Sequence, residues 1–340
     1  MNKNFFGGNP MEKVCTLILA AGEGKRMQSP YPKVLSKVLF KPMIKWVIDA
    51  VHGADINSVG IVCGFKHEIL QNYINNLNDN YCYDTFIQNE RKGTAHAVII
   101  AERFLKSHLD HDILILAGDA PLIDSKTIRD SFEFHKNNKN VATIISAKVN
   151  NPYGYGRIVR NLINDKITAI VEQKDADENT RIINEVNSGA YWFNVSELLN
   201  VIHNISNNNA QKEYYLPDAI RLFLDKGLKV DAFVAESENT ILGANDREQL
   251  SQLNSIARDE ILSFHMKNGT DIPIKDGVII GKDVEIKDNV CILPGSIVIG
   301  NSKIEKNCII GPNVFIEDCT ISDSSSISFS KYNNEVISSN

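Results

Sequence analysis

The run Val14-Cys15-Thr16-Leu17-Ile18-Leu19-Ala20-Ala21-Gly22-Glu23-Gly24-Lys25-Arg26-Met27, with Pro32-Lys33 close behind it, decides how the first part of the chain is read. Val14–Ala21 is apolar but for one threonine, and a short apolar run rich in β-branched residues fits a strand buried on both faces. The glycines and cations then fall at the carboxyl end of that strand, where α/β proteins bind their ligands. Glycines let backbone N–H groups approach phosphate oxygens, and Arg or Lys neutralises the charge. The spacing is neither that of a Walker loop nor the dinucleotide G-x-G-x-x-G. Taken alone, a G-x-G turn followed by cations fits a phosphate loop and an ordinary surface turn equally.

Outward from this run the pattern repeats. Val59–Cys63, Ile113–Ala117, Val141–Ala147 and Ala190–Val195 are further short apolar runs, separated by helical stretches. The first such helix has Pro42 in its first turn, Met43, Val47 and Val51 on one face, and Gly53 as its stop. Strand and helix alternation predicts an α/β fold with a mostly parallel sheet. A second amphipathic helix, with Leu250, Leu253, Ala257, Ile261 and Phe264 on one face, lies where the texture changes and reads as a connector. Beyond it the period becomes six. Ile274, Ile280, Ile286, Ile292, Val298, Ile304, Ile310 and Ile316 fall in one phase, each followed four residues later by a small or β-branched side chain. A fixed hexapeptide period predicts a β-helical solenoid of fewer than three coils.

The whole chain has 340 residues, with 36 Lys+Arg against 42 Asp+Glu and a net charge of −6. That length suggests two domains, and 43% hydrophobic with 23% charged residues is globular composition. Mild acidity argues against a nucleic-acid partner, and no apolar run reaches the roughly 20 residues of a membrane span. The start, without an apolar signal core, and six cysteines without a C-x-x-C pair predict a cytoplasmic chain with reduced thiols.

The full string L-A-A-G-x-G-x-R-M with P-K-V-L resembles the signature of the sugar-1-phosphate nucleotidylyltransferases. More narrowly, the chain is similar to the N-terminal part of the bacterial bifunctional enzymes that make UDP-N-acetylglucosamine. The resemblance continues through Gln88-Asn89-Glu90 with Gly93-Thr94-Ala95-His96-Ala97, Gly118-Asp119-Ala120-Pro121-Leu122 and Gly154-Tyr155-Gly156-Arg157-Ile158. It goes on through Glu172-Gln173-Lys174-Asp175, Asn187-Ser188-Gly189, Glu213-Tyr214-Tyr215 and Gly243-Ala244-Asn245. It implies a Rossmann-like nucleotidyltransferase domain followed by a short left-handed parallel β-helix. The expected division is a flexible 1–12, the catalytic domain 13–247, a connector helix 248–269, the β-helix 270–321 and a loose tail 322–340.

Carried over residue by residue, the resemblance implies that Leu19, Ala20, Ala21 and Gly22 line the nucleotide through their backbone. Lys33 would reach its phosphates and Arg26 would neutralise the triphosphate, the two catalytic cations. Gln88, Gly93 and Thr94 would read uracil and the adjoining ligand. Ala117 and Gly118 would lie beside the nucleotide. Asp119 and Asn245 would hold Mg²⁺, and Gly156, Glu172 and Asn187 would bind the acetylated sugar. The implied reaction transfers UMP from UTP to N-acetylglucosamine 1-phosphate with release of pyrophosphate, without the acetyltransferase half of the bifunctional relatives. So short a solenoid leaves an end and a flank uncovered, and a homotrimer formed through the β-helix is expected to cover them.

Three positions depart from the family pattern: Lys25 for Thr, Ala117 for Tyr, and Leu216-Pro217-Asp218 where a Thr is usual, which removes a hydroxyl near the sugar phosphate. Read singly, Asp119 also fits a loop cap, Glu172 a solvated strand-end charge and His96 a helix-start residue. The rival functions are the same transfer on another sugar or nucleotide, and a regulatory subunit of the same fold.

Overall fold

The computed structural model describes residues 13–77, 79–209 and 211–338; the expected flexible segment 1–12 lies outside them. Two compact units emerge. One comprises residues up to Leu35 together with Met43–Asp246; the other joins Ser36–Pro42 to the chain from Arg247 onward.

The first unit is built on a nine-stranded sheet. Its strands are β1 (Val14–Ala20), β2 (Ser58–Cys63), β3 (Tyr83–Ile87), β4 (Asp112–Ala117), β5 (Ala142–Lys148), β6 (Gly156–Arg160), β7 (Ile167–Val171), β8 (Glu185–Asn194) and β9 (Val230–Val234). The order is β9-β5-β8-β4-β1-β2-β3, with β6 bridging β8 to β7. All pairs along the main path are parallel except those of β8, which runs antiparallel between β4 and β5. The continuous apolar runs are explained by burial on both faces. Leu17, Ile115 and Phe193 join one core cluster, while their neighbours Ile18, Leu116 and Trp192 join the other. Helix Met43–Gly53 buries Met43, Val47 and Val51, as its spacing predicts. In β8 the register against β5 shifts between Asn187 and Ala190, with Gly189 at φ 80°. The bulge re-aims Asn187 relative to the rest of the strand.

The second unit departs from expectation in four places. The short antiparallel pair Lys37–Val38 and Lys41–Pro42 belongs here, not to the catalytic domain: Leu39 N–H donates to Asn254 Oδ1 at 2.8 Å and Lys41 pairs with Asp283 at 2.7 Å. Helix Arg247–Lys267 buries Leu253, Ala257 and Leu262, whereas Phe264 is 62% exposed. Ile274 is 53% exposed and lies outside the stack, its place at the start taken by buried Ile272.

The fourth difference is the expected loose tail 322–340. Parallel strands continue through Ser326–Ile327, Lys331–Asn333 and Val336–Ile337, so the solenoid carries four strands on two of its faces and three on the third. The reason is a change of period. Early coils pair residues eighteen apart, such as Ile292 with Ile310 and Val298 with Ile316. Later ones pair Ile304 with Ile321 and Ile321 with Ile337, seventeen and sixteen apart. Ile321 and Ile327 are buried, and Tyr332 and Ile337 pack against the same cluster. No helix among the described residues is long and apolar enough to cross a membrane, and the six cysteines are unpaired.

Candidate active site

The parallel strands β4, β1, β2 and β3 lie side by side, and the carboxyl ends of β4, β1 and β3 present their loops to one cleft. The loop after β1 brings Ala20, Ala21, Gly22 and Lys25 to a cavity of about 810 Å³; Gln88, Gly93 and Thr94 reach it from the loop after β3, and Ala117 and Asp119 from the end of β4. Lys33 lines it too. Gly118 stays behind the wall, where its N–H donates to Leu19 O at 2.9 Å. A β-carbon there would sit 3.3 Å from Ile18, Leu19 and Val34, so glycine permits this close crossing.

Lys33 joins distant parts of the chain. Its Nζ donates to Asn245 Oδ1 at 3.0 Å and also forms an ion pair with Asp119. Asn245 arrives on the loop Gly243-Ala244-Asn245, and a β-carbon at Gly243 would stand 3.0 Å from the Asp119 carbonyl oxygen. One carboxylate oxygen and one amide oxygen thus converge on a single cation. Hard oxygen donors of this kind suit Mg²⁺, which takes few protein ligands and keeps its waters. Arg26 is placed differently. It sits exposed in the one-turn helix Lys25–Met27 and does not line the cleft, whereas Lys25 does.

A second cavity, of about 500 Å³, shares Leu19, Thr94 and Gly189 with the first. Glu172 and Asn187 line it, together with Tyr215 and Pro217. Burial raises the Glu172 carboxyl above its ordinary range, and the charges of Asp175 and Asp218 add to the effect while Arg157 opposes it. Gly156 lies behind Glu172: a β-carbon there would be 2.9 Å from its Oε1. Asn187 Nδ2 donates to the hydroxyl of Tyr191 at 2.7 Å, and its Oδ1 accepts from Gly189 N–H at 3.1 Å across the bulge.

Hydrogen bonds tie the two compartments together. Tyr214 N–H donates to Lys92 O at 2.7 Å, Ala95 N–H donates to Tyr214 O at 2.9 Å, and Leu216 N–H donates to Thr94 Oγ1 at 2.9 Å. Gly93, at φ 103°, is required here, because a β-carbon would lie 2.5 Å from the Tyr214 carbonyl oxygen. Sequence reasoning passed over three contributors. Glu23 pairs with Arg91 at 2.7 Å across the first cavity, and Tyr191 orients Asn187. The pairing of Glu23 with Arg91 has no local spacing signal. Tyr191 is four residues from Asn187 on the same strand, which is the one hint the sequence holds.

Residues 15–240 match the family model described as nucleotidyl transferase, and residues 283–318 match that of the bacterial transferase hexapeptide (six repeats). A protein named bifunctional protein GlmU from Caldanaerobacter subterraneus subsp. tengcongensis is 42% identical over 94% of this chain and 68% of its own length. The protein of the same name from Acetivibrio thermocellus is 42% identical over 92% of this chain and 66% of its own length. The chain therefore spans about two thirds of the length of these relatives. A crystal structure described as a putative glucose-1-phosphate thymidylyltransferase from Bacillus anthracis, in complex with a sucrose, shares the fold. It superposes with a TM-score of 0.58 at 22% identity, covering 72% of this chain and 96% of that one.

Proposed function

This chain belongs to the nucleotidyl transferase family, and from that premise we propose that it transfers UMP from UTP to N-acetylglucosamine 1-phosphate, giving UDP-N-acetylglucosamine and pyrophosphate. The observation that carries the reading is the pair of cavities sharing Leu19, Thr94 and Gly189 as a common wall, with the Lys33–Asp119–Asn245 cluster on one side of it. A nucleotide in the larger cavity and a sugar phosphate in the smaller one would meet at that wall.

The chemistry needs no general base. The second pKa of a phosphate monoester is about 6, so the attacking sugar-phosphate oxygen is already ionised near neutral pH. That oxygen forms a bond to the α-phosphorus, and the bond to the departing pyrophosphate breaks. The protein supplies alignment and charge neutralisation. Gly22 and its neighbours hold the phosphates through backbone N–H groups, and Lys33 and Lys25 offset their charge. Gln88, Gly93 and Thr94 hold the base. Glu172 and Asn187 hold the sugar's hydroxyl and acetamido groups, with Gly156 leaving room for Glu172. Asp119 and Asn245 are the residues that would hold Mg²⁺, which when bound neutralises phosphate charge during the transfer. Arg26 keeps a role only if its loop closes over the triphosphate.

A cytoplasmic location is part of this reading, supported by a reaction that draws on UTP. Self-association as a trimer through the β-helix is supported by apolar side chains on its outside, Ile309 at 45% exposure, Phe329 at 73% and Val336 at 76%. A panel pairing UTP, dTTP and ATP with N-acetylglucosamine 1-phosphate and glucose 1-phosphate tests the substrate assignment. The fastest pair is expected to be UTP with the acetylated sugar; a clear preference for glucose 1-phosphate would overturn it.

A further inference from the structure

Gln88 follows β3, and its backbone N–H donates to Cys63 O at 2.8 Å, which fixes its main chain at the end of β2. Its side chain is 4% exposed yet lines the larger cavity. Nε2 lies 3.2 Å from Gly93 O and 2.9 Å from Nδ1 of His96. A backbone carbonyl can only accept, so the atom facing Gly93 must be the amide nitrogen, with its two N–H donors. His96 Nδ1 must then also accept, which puts the proton of its neutral ring on Nε2. Both donors of Gln88 are consumed. Its oxygen receives no donor among the described residues and is not sealed in the protein, so Oε1 is what the amide offers to a ligand.

Uracil and cytosine differ at the edge such an amide would read. Uracil has N3–H, a donor; cytosine has a bare N3, an acceptor. An amide presenting oxygen suits the first, and the same amide turned over suits the second. We propose that His96 is a positioning residue for nucleotide selection: by accepting from Nε2 of Gln88 it keeps the amide oxygen toward the base and makes the site prefer uridine over cytidine nucleotides. This rests on the reading of the larger cavity as the nucleotide site. The helix-start role of His96 is real, since it lies in the first turn of Thr94–Ile100, but its ring is spent on Gln88.

The test compares the parent chain with His96→Leu and His96→Asn. Asparagine places Oδ1 where histidine has Nδ1, so it keeps the acceptor; leucine keeps bulk and removes it. The readouts are the ratio of UTP to CTP affinity by calorimetry and the ratio of kcat/KM for the two nucleotides, with a melting curve for each variant. A buried hydrogen-bonding group with the wrong partner discriminates strongly, so His96→Leu should lower both ratios by about tenfold or more, while His96→Asn stays within about threefold of the parent. Unchanged ratios in a folded His96→Leu would overturn the proposal. So would an equal loss in both variants, which would assign the effect to the ring's shape and not to its acceptor. A parent that prefers UTP in binding but turns over neither nucleotide would defeat the uridylyl reading and leave the role of His96 to be decided by the affinity ratio.

Discussion

The ammonium of Lys33 donates to Oδ1 of Asn245 at 3.0 Å, although 212 positions separate the two residues, and the same ammonium is paired with Asp119. The two oxygens expected to share a metal are thus held together by a side-chain cation. Asp119→Asn keeps the shape of this cluster and removes its negative charge. Turnover should fall on the order of 10²-fold or more, with a higher Mg²⁺ concentration needed for half-maximal rate. Asn245→Ala should act in the same direction but less strongly, since it deletes a neutral ligand. The check is rate against Mg²⁺ concentration, with melting curves alongside. Lys33 and Asp119 are only partly buried, so losing their pair should lower stability by about 1 kcal/mol or less. Near-normal turnover of Asp119→Asn at limiting Mg²⁺ would leave Asp119 as a loop cap.

Gly156→Ala probes the smaller cavity without touching a ligand directly. The added β-carbon meets the free end of the Glu172 carboxylate and, at 3.3 Å, Ile170 Cγ2. A flexible carboxylate can swing away, so the fold should survive while the group moves. KM for the sugar phosphate should rise about tenfold, the scale of one or two displaced hydrogen bonds, with KM for UTP unchanged. Equal changes in both constants would show that the two compartments do not divide the substrates this way.

Glu172 also sets a pH-dependent penalty. Its carboxyl is raised from 4.5 by burial first and by Asp175 and Asp218 next. The folded chain therefore holds more protons at this site than the unfolded chain, and stability falls as pH rises from about 4.5 through the raised value. Glu172→Gln removes that loss. It should melt higher than the parent at pH 7, with the difference shrinking toward pH 4, while binding the sugar phosphate less well. Thermal scans across that range decide it: a variant less stable than the parent at pH 7 would mean the carboxylate is well accommodated.

Much of this was legible in sequence because it is local or periodic. The strands showed as apolar runs because both faces are buried, and the cleft loops carry their glycines and cations within a few residues of strand ends. What escaped notice was set by tertiary pairing. Leu262, not Phe264, takes the buried place because it packs into the solenoid's core cluster, and Glu23 meets Arg91 across 68 positions. The solenoid's end was hidden by successive one-residue slips, the first of them between Ile316 and Ile321. After Val314 the small buried position moves to Cys319 and Ser325, and the large one from Ile316 to Ile321, so a strict count of six finds polar residues and stops.

That slip has its own test. Ile321 is fully buried in the stack, so Ile321→Ala should cost about 2–5 kcal/mol in the solenoid's unfolding transition and expose residues 322–338 to proteolysis. A loose tail would register neither change.

The measurement that bears most directly on the account is pyrophosphate release by the purified chain with UTP, Mg²⁺ and N-acetylglucosamine 1-phosphate, followed against the same mixture lacking the sugar phosphate. The account predicts stoichiometric UDP-N-acetylglucosamine and pyrophosphate, dependent on Mg²⁺ and on the sugar phosphate. No release above the control, from a chain that melts as a folded protein, would contradict it.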